Sequence, residues 1–181
     1  MKMEDSQRIE APRETVWAAL NDADVLKACI PGCEELVKHS DTEMEAKVLL
    51  KVGPVKAKFG GKVTLEDLNP PESYRIVGEG SGGVAGFAKG GAVVRLEEDG
   101  PDATILHYDV DAQIGGKLAQ LGSRLIDSTA KRLAGEFFKT FGETVAPSQS
   151  DGGADEEQAE DKKGWLSGMF GKKDTAAEED A

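Results

Sequence analysis

From Glu34 to Gln113 the chain falls into short runs of alternating apolar and polar residues, each ended by a turn signal. Few folds accept that pattern. A parallel crossover needs about a dozen residues between strands, usually a helix, and these turns are far shorter. The strands must therefore pair antiparallel with their neighbours in a meander. Glu34–Lys38 is the first, turning at Ser40-Asp41. Thr42–Val52 follows, with Met44, Ala46, Val48 and Leu50 alternating against Glu43, Glu45 and Lys47. Val55–Leu68 is next. We read a change of phase at its Gly60-Gly61 pair, which predicts a bulge or strong bend there. Asn69-Pro70-Pro71 turns the chain again. Tyr74–Gly80 and Gly90–Glu98 are strands around a glycine-rich link. Glu98-Asp99-Gly100-Pro101 leads into Thr104–Gln113.

Gly115-Gly116 ends the series, and the period changes. From about Lys117 to Val145, Leu118, Leu121, Leu125, Ile126, Leu133, Phe137 and Phe141 recur at spacings of three and four, with charged residues between them. That predicts one long amphipathic helix covering one face of the sheet. Before the meander, Met3–Ile9 reads as a strand. Ala11-Pro12 opens a helix whose Pro12 suits the first turn. Ala23–Ile30 is a second short helix, ended by Pro31-Gly32. The fold class is α+β: a curved antiparallel sheet around a long C-terminal helix, with a cavity between them. Such a cavity is a concave, mostly apolar place for a ligand.

Composition separates body from tail. Residues 1–146 form the domain. Residues 147–161 carry six acidic and no large apolar side chains, the mark of a disordered linker. Residues 162–173 differ. Lys162 and Lys163 precede Trp165, Leu166, Met169 and Phe170, and Lys172 and Lys173 follow. At helical spacing the four apolar side chains fall within about 140°, a short interfacial face for a membrane or a partner's groove. Residues 174–181 are a second acidic, disordered end. The formal charge of −12 argues against nucleic acid as a partner. No apolar leader opens the chain and no stretch approaches a membrane span, so a cytoplasmic protein is expected.

Catalytic and metal motifs are weak. Gly78, Gly80 and Gly83 match G-x-G-x-x-G, but the chain then runs into a strand rather than the helix a dinucleotide site requires. Cys29 and Cys33 are too few for a zinc site and mis-spaced for a redox pair, and read as reduced cysteines at a turn. His39 and His107 have no ligating neighbours. Asp109 and Asp111 share one strand face, a solvated face or, less simply, an acid–base pair beside His107 and Tyr108. Lys89 reads as a solvated loop lysine.

Several blocks together resemble the G-subunit proteins of carbon monoxide dehydrogenase, within the START-like, polyketide-cyclase-like helix-grip superfamily. They are Ala11-Pro12-Arg13-Glu14 with Val16-Trp17, Cys29-Ile30-Pro31-Gly32-Cys33-Glu34, and Gly53-Pro54-Val55. Ala85-Gly86-Phe87-Ala88, Tyr108-Asp109-Val110 and Gly115-Gly116-Lys117-Leu118-Ala119-Gln120-Leu121-Gly122-Ser123-Arg124 complete the set. The resemblance implies a non-catalytic accessory protein of a molybdenum hydroxylase, lodged at the cytoplasmic face of the membrane. It implies no covalent cofactor, but a hydrophobic small molecule in the cavity, an isoprenoid quinone such as menaquinone or ubiquinone. The alternatives are a ligand-free docking or assembly factor and a small cyclase-like enzyme. Candidate cavity linings are Trp17, Ile30, Phe59, Phe87, Leu118, Leu121, Leu125 and Phe137, each of which ordinary core packing also explains.

Overall fold

The structure is a computed structural model and describes residues 1–151, with side chains through residue 146. The docking segment expected at 162–173, with Lys162, Lys163, Trp165, Leu166, Met169, Phe170, Lys172 and Lys173, lies outside the described residues, as do the linker beyond 151 and the acidic end.

In chain order the elements are β1 (Lys2–Ile9), α1 (Arg13–Leu20), α2 (Ala23–Cys29), β2 (Cys33–Lys38), β3 (Glu43–Val52), β4 (Val55–Asn69) and β5 (Ser73–Ser81). A single 3-10 turn (Gly83–Ala85) precedes β6 (Phe87–Glu98), β7 (Thr104–Gly115), α3 (Lys117–Gln120) and α4 (Ser123–Asp151). The seven strands form one antiparallel sheet in the order β1-β7-β6-β5-β4-β3-β2. The fold is α+β with a long C-terminal helix, as the strand and helix periods required.

Local signals act where expected, with shifts of a residue or two. Pro12 caps α1 from outside rather than occupying its first turn. Asp22 caps α2, its carboxylate accepting from the N–H groups of Asp24 and Val25 at 2.9 and 3.3 Å. Such a cap stabilises a helix by roughly 1 kcal/mol. Cys29, the last residue of α2, is buried and Cys33, the first of β2, is half-buried, and both are free thiols. Burial pushes both thiols up from their ordinary values.

Three expectations are corrected. No bulge interrupts β4 at the glycine pair: Ala46 opposes Gly61 and Lys47 opposes Gly60 in unbroken register. Val55, Ala57, Phe59, Val63 and Leu65 all fall on odd positions, so they share one face and the phase never changes. The irregularity lies further on, between Glu66 and Asn69, where Asp67 takes a positive φ of 51°. Next, β6 begins at Phe87, not Gly90, so Lys89 is a strand residue opposite Glu79. Finally, the terminal helix is two helices. Gly122 adopts φ +93°, and the N–H groups of Leu121 and Gly122 bond back only three residues, which closes α3 before α4 starts. Left-handed backbone costs glycine little.

Among the described glycines Gly32 has the least room. It has φ +76°, and a Cβ there would sit 2.1 Å from the carbonyl oxygen of Leu49. Gly32→Ala is therefore expected to lower stability by more than the roughly 1–2 kcal/mol of the left-handed conformation alone. Gly122→Ala, with open space around it, should cost only that conformational amount. Urea melts of the two variants compare them directly.

Core packing is uneven along the sheet. At one end Ile9, Val16, Leu96, Leu106 and Phe141 are all but sealed from solvent. The Thr104 hydroxyl donates to the Ala11 carbonyl at 2.7 Å and ties β7 to the start of α1. Two residues along the strands, Tyr74, Val94 and Tyr108 are still buried. Another two residues on, Ile76, Ala92 and Val110 are only half-buried, although they point to the same concave face. Burial along this face thus decreases toward the β3–β4 turn, where Val52, Ala85 and Leu118 form a separate buried group.

Candidate ligand cavity

The half-buried residues mark the wall of an internal cavity of about 350 Å³. Its floor is the concave face of the sheet: Met44 and Ala46 from β3, Val63 and Leu65 from β4, Tyr74 and Ile76 from β5, with the matching positions of β6 and β7. α4 covers it with Ala134, Phe137 and Phe138, and α2 closes one side with Leu26 and, just past its end, Ile30. Helical spacing puts 134, 137 and 138 on one stripe of α4. Strand alternation puts even positions of β3, β5, β6 and β7, and odd positions of β4, on the floor. The aromatic part of the roof is held by contacts within itself. Phe137 stacks on Phe141 at 5.6 Å and meets Phe138 edge-on at 5.0 Å, and Phe138 stacks on Tyr108 at 5.3 Å.

The lining is apolar apart from two phenols. Glu45 borders the cavity, but its carboxylate turns to the other face of the sheet and meets His39 at 3.0 Å. Tyr108 is raised above the ordinary tyrosine value by burial and then by the charge of Asp5, with Gln7 partly offsetting both. Tyr74 is different. Its ring packs edge-on against Trp17 at 5.2 Å. Burial alone pushes its phenol far above the usual range, with no hydrogen bond among the described residues to offset it. A hydroxyl with no protein partner beside an apolar cavity is one that a suitable ligand atom would satisfy.

Of the eight lining residues expected from sequence, the structure brings two into the cavity, Ile30 and Phe137. Trp17 lies outside the lining and packs against Tyr74. Phe59 faces the concave side but lies beyond the cavity, in the place a side chain on Gly82 would need. Leu125 packs at Gly53 in the β3–β4 turn. Leu118 is buried in α3 and Leu121 half-buried at its end, both outside the lining. Phe87 is on the wrong face: it opposes Gly115, lies across it, and is 41% exposed. The lining residues that sequence reasoning misses, Tyr74 and Ile76 among them, sit on strands whose alternation is visible. Counting positions across the ladder from Met44 would find them.

Apart from Tyr108, the polar candidates lie away from the cavity. His107, Asp109 and Asp111 occupy odd positions of β7, on the convex face, where His107 meets Glu97 at 2.8 Å and both aspartates are exposed. Among the described residues no cluster of His, Cys, Asp or Glu could hold a metal ion. Gly78 and Gly80 are strand residues, and Gly83 opens a 3-10 turn that leads directly into β6, so no helix follows the glycines. An open groove of about 690 Å³ on the convex face has charged walls of both signs, Glu35, Lys47, Lys62, Glu79 and Lys89. No described helix is long and apolar enough to cross a membrane.

With this geometry in view, comparison with known proteins is informative. Residues 6–146 match the family model described as the G subunit of carbon monoxide dehydrogenase (CoxG). A conserved protein from Geobacillus kaustophilus is 30% identical, with a TM-score of 0.77 over 82% of this chain and 97% of that one. A START superfamily protein from Mycobacterium smegmatis is 14% identical, with a TM-score of 0.61 over 80% of this chain and 96% of that one. An aromatase/cyclase from a Streptomyces species is also 14% identical, with a TM-score of 0.59 over 84% and 98%. The last two likenesses are of fold alone. No match is found among functionally curated proteins.

Proposed function

The chain belongs to the CoxG family, that of the carbon monoxide dehydrogenase G subunits, and on that premise we propose that it is a non-catalytic accessory protein that carries an isoprenoid quinone or similar lipid for a molybdenum hydroxylase. The cavity carries this reading. At about 350 Å³ it is at the low end of the roughly 300–1,000 Å³ common for small-molecule sites. It suits a ring and the first part of an isoprenoid chain, with the rest leaving through the open side. Its walls offer dispersion and apolar burial, and no charged side chain reaches into it. An acid–base enzyme would need such groups convergent on the substrate. A ligand-free docking factor would have no use for the space, and a filled core would have favoured that role.

The direct test is organic extraction of the purified full-length protein, followed by mass spectrometry. An isoprenoid quinone, menaquinone or ubiquinone, is the expected species. Protein that yields no lipid-like compound and takes up no added quinone would leave only the docking role.

Tyr74 would supply the single polar contact, its hydroxyl donating to a quinone carbonyl. Tyr74→Phe should weaken binding of a short-chain quinone by about tenfold, the value of one hydrogen bond in a dry site. Stability should change little, because no hydrogen bond within the described residues is lost. Calorimetric titration and a thermal melt of the same sample separate the two effects.

The family relationship supports the dehydrogenase as partner, and the segment 162–173 supports contact with the membrane or with that partner. We assign the protein to the cytoplasmic face of the membrane. Flotation with anionic liposomes, comparing the full chain with one cut after Ser150, tests the segment's part in this.

A further inference from the structure

The charge of this protein is segregated. Three stretches, residues 46–65, 80–94 and 112–126, hold Lys47, Lys51, Lys56, Lys58, Lys62, Lys89, Lys117 and Arg124 and no acidic residue, in a chain with 34 acidic and 22 basic side chains. The fold brings the three together at one end. The β3–β4 turn touches α4, where a side chain on Gly53 would run into Leu125. Gly82 lies against the ring of Phe59, and Gly86 against Gly115 and Gly116, so the 3-10 turn is wedged between β4 and the start of α3.

Some of these cations are balanced. Lys47 and Lys58 reach Glu35 and Glu34 at 3.3 and 3.5 Å, and Lys62 and Lys89 flank Glu79 across the ladder. Lys51, Lys56, Lys117 and Arg124 are exposed, and none has an ion pair among the described residues. Lys51 and Lys56 are directly opposite each other in the β3–β4 ladder. Like charges so placed repel and weaken the hairpin, an arrangement that an anionic surface would reverse. Beside them, Val84 at the tip of the 3-10 turn is 85% exposed, the most exposed large apolar side chain described. It is also the end toward which burial along the concave face decreases, from Tyr74, Val94 and Tyr108 to Ile76, Ala92 and Val110.

We propose that this end of the folded domain docks on an anionic lipid bilayer, Val84 entering the interface and Lys51, Lys56, Lys117 and Arg124 lying over the head groups. An acidic protein surface would satisfy the cations, but it gives no reason for a bare valine at the tip or for the loosely packed apolar face behind it. A lipid surface accounts for both. The surface shares no residue with the segment at 162–173, and rests on the ligand reading only for its purpose, the passage of an apolar molecule between bilayer and cavity.

The test is flotation of the full-length chain with vesicles of phosphatidylcholine alone or mixed with phosphatidylglycerol. Each basic residue near such a surface strengthens binding severalfold, so reversing Lys51, Lys56, Lys117 and Arg124 to Glu should weaken binding to the anionic vesicles by about tenfold or more. Val84→Asp should weaken it less, at unchanged charge among the four. A control that reverses Lys2, Arg75, Lys131 and Lys139 changes net charge equally and should bind nearly as the parent does. Both sets are repeated with Trp165, Leu166, Met169 and Phe170 replaced by Ala, where the difference should persist. Equal loss in the control, or no loss in the first variant, overturns the proposal. Titration with a short-chain quinone in the absence of vesicles shows whether each variant is folded and its cavity intact. Failure there concerns the ligand reading, not the docking face.

Discussion

Ala92→Trp is expected to abolish quinone binding while leaving the protein folded. Ala92 sits in the middle of the cavity floor, between Ile76 and Val110 on the neighbouring strands, and all three are half-buried because empty space lies above them. An indole there would occupy the volume the ligand needs. In a close-packed core such an insertion costs about 1–3 kcal/mol through strain. Here the space already exists, and an aromatic residue suits a strand, so the melting temperature should change little. Extraction and mass spectrometry before and after the substitution give the result. Undiminished ligand with a normal melt would mean that the bound molecule lies elsewhere.

Phe141→Ala should have the opposite profile, a large loss of stability with no direct effect on the ligand. Phe141 is completely buried, stacks on Phe137 and belongs to the tightly packed end of the core. Truncating such a ring costs about 3–5 kcal/mol, against a total of about 5–15 kcal/mol for a typical domain. Phe138, about one helical turn closer to the opening and half-buried, should cost markedly less when cut to Ala, since it already borders a void. Urea denaturation of the two variants measures the contrast. Equal losses would contradict the division into a sealed end and an open end.

Strand alternation makes the fold legible almost residue by residue, because one face of each strand has to be apolar. Where alternation fails, legibility fails with it. The block around Phe87 is glycine and alanine on both sides, so nothing in it fixes parity, and an aromatic ring expected inside belongs outside. The Gly60-Gly61 pair misleads in another way: two glycines suggest irregularity, but the odd positions on either side already agree. At Leu121-Gly122 the apolar spacing continues through a glycine, and spacing alone does not reveal a left-handed φ. The cavity itself follows from a glycine-interrupted sheet facing a long apolar stripe. Its walls do not, because choosing by size favours aromatic and leucine residues, while the floor is built of whichever residues share a row, Ala46 and Ala92 included. Tyr74 does not stand out in the sequence, since its significance is a missing hydrogen bond.

The strand order also sets a timetable for synthesis. Six of the seven strands, β2 to β7, pair with a sequence neighbour as soon as both are made. β1 is the exception: among the described residues its partner is β7, and the buried Thr104 bond that fixes the β1–α1 corner joins residues 93 positions apart. The first strand made must therefore wait until the sheet is nearly complete. Pairings of such long range slow folding and leave edges unpaired meanwhile. α4 emerges from the ribosome later still. Throughout that interval the apolar floor that will receive the ligand has no roof, and the nascent chain presents it as an open, sticky surface. A chaperone is the natural thing to cover it first.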